Sequence, residues 1–150
     1  MTGPLAGLHV VEIATQISGP YAAKLLVDLG AEVIKIEPPA GDPLRRWGPF
    51  PSGLVDPNRC GLFEYLNAGK NGATLDFSAA HDLAAARELI ARAHLLVEDF
   101  APGRLQGWGL GVDDLQRLNP NLVLLRISAF GQSGPSRHRH ATPLTLQAAS

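Results

Sequence analysis

Short apolar runs alternate with helical stripes along this chain. Leu8 to Ile13 is an apolar run rich in β-branched residues. Tyr21, Leu25, Leu26 and Leu29 then recur at helical spacing, and Gly30 stands where a helix ends. A second apolar run, Ala31 to Glu37, is stopped by Pro38-Pro39. This is strand, helix, strand, with the connection length of a parallel crossover. Ligands of such units sit where strands end and helices begin, so Thr15 to Pro20 is the first place to look for chemistry. Ser18-Gly19-Pro20 reads as the helix start, with a capping residue type and a proline in the first turn.

The alternation continues. Residues 40–58 lose the pattern and read as an ordered loop carrying Arg45 and Arg46. A loop of that length is uncommon in a compact domain and often functional. A short helix is predicted over 62–66, a turn over 67–72 and a third strand over 73–77. Ser78 is expected to cap a helix over 79–93 whose buried stripe is Leu83, Ala86, Leu89 and Ile90. A fourth strand over 94–97 leads into Glu98-Asp99-Phe100. Short helical pieces follow over 104–108 and 112–118, the second capped at Asp113 or just before it. A fifth strand is predicted over 122–128, then a glycine-proline turn over 131–135, and a helical run begins at Pro143. The fold class expected is α/β, a largely parallel sheet with helices on both faces. The final run lacks a stop and a packing partner within the chain, so residues 1–150 read as the N-terminal part of a larger domain.

Composition narrows the class. With 150 residues and 45% hydrophobic content, the chain can bury a real core, roughly 70% of its unfolded surface. The net charge of -1 gives no basic excess, so nucleic acid is not suggested as a partner. No apolar run approaches the roughly 20 residues that span a bilayer, and no secretory signal opens the chain. A cytoplasmic location is the default expectation. The single cysteine, Cys60, excludes an internal disulfide and a cysteine-rich metal site, and a buried or inert thiol is expected.

Candidate chemistry is modest when read residue by residue. The Ser18 turn can offer backbone N–H groups and a positive helix end to a phosphate or acyl oxygen, or be only a capped helix. Glu37 ends the second strand where an acidic residue would hold a ribose, which raises a nucleotide-cofactor oxidoreductase. That fingerprint needs three spaced glycines, and only Gly19 is present. Arg45, Arg46 and Lys70 are loop cations, suited to phosphates or simply solvated. Phe100, beside Asp99, can cover an adenine-like ring or fill a strand end. Arg137-His138-Arg139-His140 reads as an exposed basic turn rather than a metal site, and no serine sits in a nucleophile elbow.

Taken together, four stretches carry a resemblance: PLAGLHVVEIA, SGPYAAKLLVDLGAEVIKIEPPAGDPLR, NAGKNGATLDF and LLVEDFAPGRLQGWGLGVDDLQRLNPNLVLLRISAFGQSGP. They resemble the N-terminal part of the family III CoA-transferases of the CaiB/BaiF type. Formyl-CoA transferase, carnitine CoA-transferase and α-methylacyl-CoA racemase belong to this superfamily. The resemblance covers essentially the whole chain. It implies a Rossmann-like large domain, a smaller second domain, and two full-length subunits interlocked as a homodimer.

The resemblance also implies coenzyme A, or an acyl-CoA thioester, as substrate and a carboxylic acid as acceptor, with no covalently bound cofactor. An aspartate nucleophile is expected beyond residue 150, so no catalytic residue is assigned here and the chain alone is expected to be inactive. The expected binding set is Gln16, Ile17 and Ser18 of the first turn, Arg45 or Arg46 of the G-D-x-x-R region, Lys70, Asp99, Phe100 and Arg104. Lys70 falls near the CoA phosphates and Phe100 near the adenine, while Asp99 replaces a usual asparagine. The histidine and glutamine of the formyl-CoA enzyme's first turn read Thr15 and Ile17 here. Its arginine after the second strand reads Pro38, and its lysine at the end of the fifth reads Ser128. The racemase His-Asp pair falls on Thr142 and Pro143, so racemase chemistry is not expected. A non-catalytic CoA-binding module that pairs with a full-length paralogue is the second expectation.

Overall fold

The computed structural model describes residues 3–149; Thr2 of the lead-in and Ser150 of the last run lie outside them. Five strands form one parallel sheet: β1 (His9–Glu12), β2 (Glu32–Glu37), β3 (Asn71–Thr74), β4 (Leu95–Glu98) and β5 (Val123–Arg126), in the order β3-β2-β1-β4-β5. The helices are α1 (Ser18–Asp28), α2 (Gly61–Asn67), α3 (Ala80–Ala91), α4 (Arg104–Gly107), α5 (Val112–Leu118) and α6 (Pro143–Ala149). A 3₁₀ turn, Pro43–Arg46, sits in the long loop. The chain builds outward from β1 to β3 and then returns to lay β4 on the other side of β1. The strand order therefore reverses between β1 and β4, which opens a crevice at their carboxyl ends.

β-branched and leucine side chains in β1, β2 and β4 serve two cores at once, because successive residues of a strand point to opposite faces. Val11, Ile13, Ile36 and Leu96 pack with Ala86, Ile90, Leu105, Leu110 and Leu115 on the side of α3 to α5. Val10, Ala14, Val33 and Val97 pack with Ala23, Val27 and Ala31 on the side of α1. The register places Glu12 opposite Lys35 and Glu98 opposite Arg126. Lys35 Nζ lies 2.9 Å from Glu12, 3.0 Å from Asp42 and 2.8 Å from the Ala14 carbonyl. Lys70 Nζ donates to the other Glu12 oxygen at 2.6 Å, and also to the Pro20 carbonyl and Asn67. Two carboxylates and two ammonium groups thus neutralise one another beneath the start of α1.

The structure corrects four local expectations. The buried stripe of α1 is Gly19, Pro20, Ala23 and Val27, while Tyr21, Leu25 and Leu29 face outward, each near 45% exposed. Small residues win this face because α1 lies too close to the sheet for large ones. Ser18 does not cap α1: Ile17 stands at the cap position and no side chain bonds there. Nor does Ser78 cap α3; its hydroxyl donates to Asp76, and Asp82 accepts the Asp76 N–H, so carboxylates order that turn. β3 begins at Asn71 and ends at Thr74, because its register is set by Ile34 of β2; Leu75 and Phe77 continue into the core beyond it.

Other expectations hold. Gly30 ends α1 with φ +101°, its N–H on the Val27 carbonyl and the Ala31 N–H on Leu26, a Schellman arrangement. Gly111 precedes α5, and its N–H donates to Asp114. Cys60 is buried, with its thiol against the Leu44 and Gly48 carbonyls. Among the described residues no helix is long and apolar enough to cross a membrane.

Lys35→Met removes the cation from between two buried carboxylates. It is expected to cost about 3–5 kcal/mol of folding stability, because an uncompensated buried charge remains. Denaturant unfolding checks this, and a loss below about 1 kcal/mol would show that the cluster is not what secures these elements.

Candidate functional site

Two clefts meet at Thr15, at the carboxyl edge of the sheet. The smaller, about 260 Å³, is lined by residues that follow β1, β2, β3 and β4: Thr15, Pro38, Phe77 and Phe100, with Arg104 and Trp108 from α4 and its end. Its floor is apolar and aromatic. Trp108 meets Phe77 and Phe100 edge to face at centroid distances of 5.0 and 5.3 Å. The Arg104 guanidinium lies over the Trp108 ring at 4.6 Å. Such a pocket suits a flat, π-rich ring bordered by negative charge.

The larger cleft, about 600 Å³, is bounded by Thr15 to Ser18, Trp47, Asp99, Ile127, Ser128 and the start of α6. The first turn of α1 opens toward it, with Gln16, Ile17 and Ser18 exposed. The turn that makes this wall is held by two carboxylates. Asp99 accepts the Thr15 N–H at 2.9 Å and Asp42 accepts the Gln16 N–H at 3.1 Å. Asp42 also accepts the Leu44 N–H, so the same carboxylate starts the 3₁₀ turn. Gln16 takes φ +59°, the one positive φ outside glycine among the described residues. A side chain held in that region costs on the order of 1 kcal/mol and persists where surroundings over-determine it. Gly19 lets α1 start this close to the sheet: a Cβ there would stand 2.1 Å from the Ala14 Cβ.

Charge at the site is uneven. Burial pushes the Asp99 carboxyl up to about 6, against the opposing Thr15 N–H and Lys35. Burial also pulls the Lys70 ammonium down, and pairing with Glu12 restores it only in part. At Glu37, burial acts upward, but the Arg45 guanidinium and the Asp42 N–H outweigh it and hold the carboxyl below its usual range.

Gln16, Ile17, Ser18 and Asp99 come together in the larger cleft, and Phe100 and Arg104 in the smaller. The three loop cations do not join them. Arg45 grips Glu37 through two 2.7 Å contacts and stacks on Phe63 at 3.7 Å. Lys70 faces inward, its side chain 1% exposed, so it is an internal counter-ion rather than a loop cation. Arg46 is exposed and borders neither cleft. Arg45 and the Asp42 N–H take three of the roughly four acceptor positions of the Glu37 carboxylate, so Glu37 is engaged in holding the loop. Residues 137–140 form an exposed turn, and no metal-binding group occurs among the described residues. Sequence reasoning missed Asp42, Trp47 and Trp108. Two tryptophans beside glycines in irregular segments are the only signal that pointed to the latter pair.

Residues 5–150 match the profile of CoA-transferase family III. The chain is 39% identical over 137 residues to succinyl-CoA--D-citramalate CoA-transferase of Chloroflexus aurantiacus, covering 91% of this chain and 33% of that protein. It is 36% identical to acetyl-CoA:oxalate CoA-transferase of Acetobacter aceti, covering 99% and 37%. The crystal structure of a CAIB/BAIF family protein from Brucella suis superposes with TM-score 0.90 at 36% identity, over 99% of this chain and 39% of that one. The chain thus spans about a third of the length of these relatives.

Gly19→Ala tests the close approach that forms the turn. Its Cβ collides with Ala14, so about 1–3 kcal/mol of stability is expected to be lost, with α1 pushed off the sheet. Thermal unfolding that matches the parent protein would contradict this geometry.

Proposed function

Because the chain belongs to CoA-transferase family III, we propose that residues 1–150 form the CoA-thioester-binding portion of an enzyme that moves CoA between an acyl-CoA and a carboxylic acid. The observation that carries the reading is the pair of clefts joined at Thr15, one aromatic and one at a helix start. The adenine ring lies in the smaller cleft against Phe100 and Trp108, with Arg104 beside the phosphates. The pantetheine arm passes Thr15, and the thioester reaches the first turn of α1. There the exposed backbone N–H groups and positive helix end stabilise negative charge on the acyl oxygen.

In this reading a carboxylate nucleophile comes from outside residues 1–150. It attacks the thioester carbonyl, the C–S bond breaks, CoA leaves as thiolate, and the acyl group is held as a mixed anhydride. The residues present here bind and orient; they do not form the covalent bond. Pairing with a second subunit belongs to the same proposal. Its support is that other CoA-transferases with 39–41% identity to this chain act on succinyl-CoA and are in part named as α and β subunits.

Titration calorimetry with CoA and acetyl-CoA is expected to show binding, and Phe100→Ala to weaken it about tenfold, in line with roughly 1–3 kcal/mol for one base–aromatic stack. Mixing the chain with succinyl-CoA and a dicarboxylic acid is expected to give no transfer. Turnover by residues 1–150 alone would overturn the placement of the nucleophile. A folded chain that ignores CoA would overturn the site.

A further inference from the structure

Among the described residues that line the larger cleft, Asp99 is the only titratable one and none is a cation. Its Oδ1 is taken by the Thr15 N–H, its one hydrogen bond among the described residues. Its Oδ2 lies beside the first turn of α1, where a Cβ on Gly19 would come within 3.3 Å. Around it stand Lys35 from β2, Asp42 from the loop and Glu98 at the end of β4. Lys35 is already held by Glu12, Asp42 and the Ala14 carbonyl. Glu98 is itself held by Arg126, so burial above all makes the site poor at holding a further negative charge.

We propose that Asp99 determines when this cleft accepts its ligand: as the neutral acid it admits a CoA thioester, and as the carboxylate it opposes one. This rests on the CoA reading above and adds a condition to it. A CoA ligand carries a pyrophosphate and offers a carbonyl oxygen as acceptor. A carboxylate at the cleft wall has no proton to give that oxygen and sets a negative charge against it. The acid form has one O–H to donate and no charge, and Oδ1 keeps the Thr15 N–H in either state. Burial raises the carboxyl to about 6, so the change of state falls near neutral pH. The sign follows: affinity is highest below this value and declines as pH rises through it.

The probe is the acetyl thioester of 3′-dephospho-CoA, which keeps the pyrophosphate and the thioester carbonyl and lacks the phosphate monoester that itself titrates near pH 6. Binding is followed calorimetrically from about pH 5 to about pH 8, a span wide enough for a group titrating near 6 to change state fully. The parent chain is expected to lose at least about tenfold in affinity across that span, approaching about a hundredfold where only the acid form binds. Asp99→Asn is expected to bind at the parent's low-pH level throughout, since the amide is neutral, donates, and keeps the Thr15 contact. A flat parent profile, or an unchanged slope in the variant, overturns the proposal and leaves the CoA site standing. Absence of binding at every pH overturns both. If the variant fails to fold, a ¹³C titration of the parent's Asp99 carboxyl serves. Its midpoint is expected to rise when the acetyl thioester of 3′-dephospho-CoA is added, and an unmoved midpoint overturns the proposal.

Discussion

The buried pairing of Glu12 with Lys35 and Lys70 is the constraint that the carboxyl edge of this sheet depends on. Glu12 is the last residue of the central strand and is fully buried. A lone carboxylate there would be prohibitively costly, so two ammonium groups come to it from different elements. Lys35 is delivered by the β1–β2 register and Lys70 by the turn before β3. Lys35 in turn recruits Asp42, and Lys70 reaches the Pro20 carbonyl of α1. One charge-neutral cluster thereby joins two strands, a helix start and the long loop.

The cluster's reach explains the shape of the clefts. Asp42 receives the Gln16 N–H while seated against Lys35, so the strained turn between β1 and α1 is anchored to the ion cluster. Asp99 anchors the preceding residue from β4, across the point where strand order reverses. Two successive backbone N–H groups, turned to two carboxylates from different elements, leave the turn little freedom. Its next residues face the larger cleft as a preformed wall. The same pattern recurs at the other strand ends, where Glu37 is held by Arg45 and Glu98 by Arg126. Each of these two carboxylates also accepts a loop N–H, which fixes how the chain leaves the sheet.

Reading residues one at a time misjudged where cations and large side chains would go. Arg45 and Lys70 read as loop cations, suited to phosphates or simply solvated, because each follows a turn or strand end. Their guanidinium and ammonium groups instead answer buried carboxylates more than five residues away in sequence, and strand register brings them together. Tyr21, Leu25 and Leu29 looked like the core stripe of α1 because they are large and correctly spaced. The approach allowed by Gly19 and Ala23 turned that face outward, and hydrophobic spacing does not specify which of two apolar faces packs.

What the sequence determined by itself is the order of strands and helices, their parallel connection, the glycine that ends α1, and the family. Each is carried by local pattern: periodicity, turn chemistry, and motifs at fixed spacing. What only the tertiary structure decided is which charges are counter-ions and which border a cleft, and that Phe100, Arg104 and Trp108 share one pocket while Asp99 lines the other. Those relations join residues far apart in sequence, such as Thr15 and Asp99, which are 84 positions apart. They exist only once the sheet has set its register, because a burial cost or a neighbouring charge is a property of the packed chain and not of any segment of it.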